Sequence, residues 1–170
     1  MISEPSSPLV VCGVIGDSTT MIVNKSLTGP FKNRYDLVTM PIVGGIALSE
    51  AVNKVTQLQT GLQTIISKQL GTVQFTIPTL AALAIPTTLI SIFYLLEPVG
   101  GQLITKRPSY TTALSAGAAR VALAQLNWHN SSPAVMQAKR FLLTGAFPTD
   151  EQHIAGYTIH EQQQFISTDV

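Results

Sequence analysis

"DLVTMPIVGGIALSEAVNKVTQLQTGL", Asp36 to Leu62, is the stretch whose reading decides the fold. In its second half Ala51, Val55, Leu58 and Leu62 recur at helical spacing. Ser49 is placed to cap the start of a helix and Gly61 to stop it, so a helix is expected over Ser49–Thr60. The residues before it, through Gly44-Gly45, are rich in turn formers and read as a loop with short extended pieces. Upstream, "PLVVCGVIGDSTTMIVNKS" (Pro8–Ser26) reads as two strands around a polar turn at Gly16–Thr19, which predicts a hairpin. Downstream, Gln63–Ile77 and Leu89–Pro98 read as strands, and Ala118–Leu126 is open between a strand and a short helix. Ser132-Pro133 opens a second helix to about Leu143, with Pro133 at its first position. Strand pairs, a helix, more strands and a late helix predict an α/β sandwich.

Composition limits what such a sandwich does. At 170 residues the chain fits one domain with a real core. Only 11% of residues are charged, against a usual ~25%, so the surface is poor in charge. The net charge is +1, and the basic residues occur in scattered pairs such as Lys106-Arg107 and Lys139-Arg140 rather than in a stripe, which argues against nucleic acid as a partner. The single cysteine, Cys12, excludes an intrachain disulfide, and its apolar surroundings suit a buried structural thiol. No basic segment precedes the first strand in the manner of a signal peptide, so a cytoplasmic location is expected. Phe75–Leu96 is uncharged and about as long as the ~20 residues of a bilayer span, but it holds Pro78 and Pro86, and its second half is β-branched and aromatic. Membrane association through 75–96 is therefore the competing reading, and a buried strand the preferred one.

The order "VVCGVI…IVNKS…GPFKNRYDL…EAVNKVTQLQTGL…QLGTVQF…IFYLLEP" resembles the Nudix hydrolase family across most of residues 8 to 145. The resemblance implies an α/β; Nudix-like α/β/α sandwich with mixed β-sheet, a domain over 1–150, and a C-terminal polar tail or short helix over 151–170. The family's box is Gly, five residues, Glu, seven residues, Arg-Glu-apolar-any-Glu-Glu-any-Gly-apolar, and it lies on Asp36–Leu62 without a gap. In that register the loop glycine falls on Met40 and the first glutamate on Ile46. The Arg-Glu pair falls on Lys54 and Val55, and the Glu-Glu pair on Leu58 and Gln59. Gly61 and Leu62 match.

In members of this family the glutamates hold Mg²⁺ or Mn²⁺ on a diphosphate. Hard cations require oxygen ligands, and between Leu37 and Thr149 this chain has only two carboxylates, Glu50 and Glu97. Glu50 suits a helix start and Glu97 a strand end, so neither is expected to act as a ligand. The resemblance thus implies a fold whose metal site is lost: no cofactor, and a role in binding a nucleotide-like small molecule or a protein. The rival is an active hydrolase of nucleoside diphosphate derivatives with an atypical site, for which Mg²⁺ or Mn²⁺ would be required. Arg34 and Asp36 precede the box and are candidates for ligand contact, with turn stabilisation as the ordinary role. Val55 and Leu58, with Ile46, are expected to form an apolar patch where the metal face would be, which a homodimer would cover. His129, His153 and His160 read as surface groups. Trp128, Tyr94 and Tyr110 read as core residues, with stacking on a base as the alternative.

Overall fold

The computed structural model describes residues 9–77, 87–106 and 115–166. In chain order it has β1 (Leu9–Val14), β2 (Thr20–Ser26), β3 (Tyr35–Asp36), β4 (Val38–Pro41), α1 (Leu48–Thr60), β5 (Leu62–Ile77), β6 (Thr87–Gly101), β7 (Ser115–Ala122), a 3₁₀ turn (Leu123–Gln125), α2 (Pro133–Thr144) and β8 (Gln152–His153). A five-stranded sheet runs β4-β1-β6-β5-β8, and a three-stranded sheet runs β3-β2-β7. The larger sheet is mixed: β1 is parallel to β6 and β8 to β5, while β4 pairs antiparallel with β1 and β5 with β6.

Successive strand residues enter opposite cores. Cys12, Val14, Met21, Val23, Phe93 and Ala119 pack with Val135 and Ala138 of α2. Their neighbours Val11, Ile22, Tyr94, Leu96 and Ala118 pack with Ala51 and Val52 of α1. Strands buried on both faces need apolar residues at every position, which is why "LVVCGVI" and "ISIFYLL" run without alternation. This is the expected α/β/α arrangement, and the apolar run after Leu89 is a strand between β1 and β5. No helix among the described residues is long and apolar enough to cross a membrane; residues 78–86 of the competing membrane segment lie outside them, as does Tyr110.

Two expectations about local structure need correction, and one open reading is resolved. The chain reverses at Asp17, whose carboxylate accepts the Thr19 and Thr20 amides at 2.8 and 2.9 Å, but no hairpin follows. β1 and β2 share only the Gly16–Met21 bridge and then diverge into different sheets. Helix α1 begins one residue earlier than expected: Ala47 is its N-cap, with no side-chain cap bond, and Ser49 lies inside the first turn. The ambiguous segment is strand to Ala122 and then a single 3₁₀ turn. The second helix forms as read, with Ser132 accepting the Val135 amide and Pro133 in the first turn. The tail contains no helix among its described residues. Instead Gln152 and His153 pair with Phe75 and Thr76, and Phe165 packs on Tyr35.

Candidate functional site

The α1 cleft is built from β4, the loop after it and one side of the helix. Gly61 ends α1 at φ 79° and turns the chain directly into β5. Here the Ile104 amide donates to the Thr60 carbonyl, and a Cβ on Gly61 would collide with the Gln102 carbonyl oxygen. The box's one surviving glycine is thus required by packing, independently of any chemistry nearby.

The other box positions do not gather as one surface. Val55 is 5% exposed, and Ile46 and Met40 pack against the α1-side core. Leu58 is 66% exposed, so the expected apolar patch of Ile46, Val55 and Leu58 reduces to one outward residue. Val55 and, in part, Ile46 find cover within their own chain. Lys54 is exposed. Leu58→Glu is expected to leave the free energy of unfolding within about 0.5 kcal/mol of wild type, because an exposed side chain away from caps and networks carries little. Urea titration of the two proteins checks it.

Gln59 is the box position whose side chain makes hydrogen bonds to the neighbouring strands. Its Oε1 accepts from Asn24 Nδ2 at 3.3 Å, and its Nε2 donates to the Thr39 carbonyl at 3.3 Å. Asn24 is buried, and its Oδ1 accepts from Ser115 Oγ at 2.5 Å. A neutral network thus joins α1 to β2, β4 and β7, and it satisfies the buried amides that would otherwise be costly. Sequence reading missed Asn24 and Ser115: they are polar residues of ordinary strand ends, and only the sheet register brings them to Gln59.

A divalent cation does not fit these residues. Among the described residues no three His, Cys, Asp or Glu side chains lie close enough to hold one. Glu50 and Glu97 are exposed, at the helix start and near the strand end as expected. Gln59 is the only oxygen donor at a box ligand position, and it offers a single neutral oxygen that already accepts from Asn24.

Arg34 and Asp36 act on the opposite side. Asp36 is buried; its Oδ1 accepts from Ser132 Oγ at 2.6 Å and from the Leu37 amide at 2.9 Å. Burial pushes its carboxyl up to about 6, against the pull of those two bonds. Asp36 therefore ties β3 to the N-cap of α2. The buried Cys12 thiol is likewise raised, to about 12, by burial first and then by Asp36, which makes it inert as a nucleophile.

Arg34 is 3% exposed. Its guanidinium donates to the Trp128 carbonyl at 3.3 Å and the Thr158 carbonyl at 2.8 Å, and it lies 4.2 Å over the Tyr157 ring. The preceding residue, Asn33, adopts φ 66°, donates to the His160 carbonyl at 2.7 Å and accepts the Gln164 amide at 2.9 Å. Residues 33 and 34 thus hold the tail, a role no local signal could reveal because the partners lie at the far end of the chain. Tyr94 is buried as expected, whereas Trp128 is 50% exposed, so the core reading of Trp128 is corrected. His129 and His160 stack with ring centroids 4.5 Å apart.

Comparison by sequence finds no matching family model and no matching curated protein. Comparison by structure places the chain beside Nudix hydrolases. A NUDIX hydrolase from Nitrosomonas europaea superposes with TM-score 0.61 at 10% identity, covering 91% of this chain and 82% of that one. A UDP-X diphosphatase gives TM-score 0.59 at 11% identity, covering 89% and 69%. An ADP-ribose pyrophosphatase from Streptococcus suis gives TM-score 0.54 at 11% identity, covering 86% and 98%. The layered sheets, the α1 turn and these superpositions define the class: the chain has the Nudix fold. At such identities it is the fold that is shared.

Proposed function

We propose that this chain is a Nudix-fold protein that has given up metal-dependent hydrolysis and serves as a binding module, for a small nucleotide-like ligand or for a protein. The observation that carries the reading is the neutral Asn24–Gln59–Thr39 network at the place where the box would supply carboxylates. An amide next to a buried valine and an exposed leucine offers Mg²⁺ or Mn²⁺ at most one neutral oxygen of the six or so it needs. The second reading, an active diphosphate hydrolase, is supported by the names of the structural neighbours.

The test is turnover of ADP-ribose and UDP-sugars with Mg²⁺ or Mn²⁺, with and without chelator. No chelator-sensitive turnover above background is expected, and neither metal is expected to shift the melting temperature. Turnover abolished by chelator would establish the second reading instead.

A further inference from the structure

A pocket of about 310 Å³ opens on the far side of Arg34, lined by Arg34, Trp128, His153 and Tyr157 with the 154–156 turn. It shares no lining residue with the Gln59 network. Two features of it are unusual. Arg34 is a buried cation whose two hydrogen bonds both end on neutral carbonyls, while its Nε is buried with no hydrogen-bond partner. Among the described residues no carboxylate lies in ion-pair range of it. A buried charge without a counter-ion is costly, and guanidinium matches carboxylate and phosphate oxygens in geometry as well as charge. The second feature is Trp128, a large aromatic left half exposed at the pocket wall, where a planar ring gains by stacking. The volume stands at the lower end of ligand pockets, ~300–1,000 Å³, which suits one ring with one anionic group.

We propose that this pocket binds a small planar organic anion, its carboxylate or phosphate on Arg34 and its ring against Trp128. The site is independent of metal and of the α1 cleft, so it stands whether or not the chain hydrolyses anything. Trp128 is the only tryptophan of the chain, so its fluorescence reports on the pocket directly. The full chain is titrated with benzoate, phenyl phosphate and the neutral isostere benzamide. Saturable change in Trp128 emission is expected with at least one anion, which binds at least about tenfold more tightly than benzamide, a difference of ~1.4 kcal/mol. The stronger of benzoate and phenyl phosphate identifies the anionic group. In Arg34→Gln the preference over benzamide should fall to within about twofold; should that variant not fold, because Arg34 also holds the tail, the wild-type comparison decides alone. Equal affinity for benzamide and the anions, no saturable response to either anion at millimolar concentration, or a preference that survives in folded Arg34→Gln overturns the proposal.

Discussion

Gly61→Ala is expected to destabilise the protein by about 3 kcal/mol or more. Two costs add. At φ 79° an L-residue pays ~1–2 kcal/mol for the left-handed conformation that glycine adopts freely. The new Cβ also runs into the Gln102 carbonyl oxygen and the Ile104 side chain, and a backbone oxygen cannot swing aside as a flexible side chain can. Relief would require separating the end of α1 from the strand exit after Gly101, which breaks the bond between Ile104 and Thr60. Gly145, which caps α2 at φ 75° with open space around it, is the control. Gly145→Ala should show the conformational cost alone, so the difference between the two variants in urea unfolding isolates the clash. Equal losses would mean that the α1 exit is not the tight crossing described.

Asp36→Asn is expected to stabilise the protein at neutral pH and to remove most of its pH dependence between about 4 and 6. The carboxyl of Asp36 is raised from its ordinary 3.8 to about 6 by burial. Between those values the folded chain holds a proton that the unfolded chain has released. Stability therefore falls as pH rises through this window and is level above it, by an amount on the order of 3 kcal/mol. Asparagine keeps an oxygen to accept from Ser132 and Leu37 without a charge to bury. Those bonds weaken when the acceptor is neutral, so the net gain at pH 7 is smaller, about 1–2 kcal/mol. Unfolding free energies of the two proteins at pH 4 and pH 7 decide it. A variant that is weaker at pH 7, with the slope intact, would show that the ionised carboxylate is the form the fold requires.

Both positions illustrate what the sequence made readable. Gly61 was legible as a helix stop because the left-handed cap is a local requirement, satisfied by the residue itself and its own helix. The doubly buried strands were legible too, since apolar residues at every position leave few other folds. Ser49 as a cap was not, because the loop from β4 delivers Ala47 in the extended conformation one residue before the helix and leaves the serine inside the turn. The apolar face of α1 misled in another way: helical spacing places Val55 and Leu58 three residues apart, but α1 packs on the sheet along the line of Ala51, Val52 and Val55, which leaves Leu58 outside. The Arg34 pocket was legible only as two candidate residues. Its walls come from the tail and from Trp128, and nothing within reach of Arg34 along the chain announces them.

The separation of β1 from β2 has a consequence for how the molecule comes together. A hairpin at Asp17 would have closed early and locally. Instead each strand has one nearer partner, β4 for β1 and β3 for β2, and one distant partner: Val11 must find Ile92 and Met21 must find Val121, pairings that close large loops. Loop entropy is spent before these distant pairings return contact energy, which slows folding relative to a chain built on a local hairpin at this point. The short bridge between Gly16 and Met21 also threads one continuous segment through both sheets, so the placement of one sheet constrains the placement of the other.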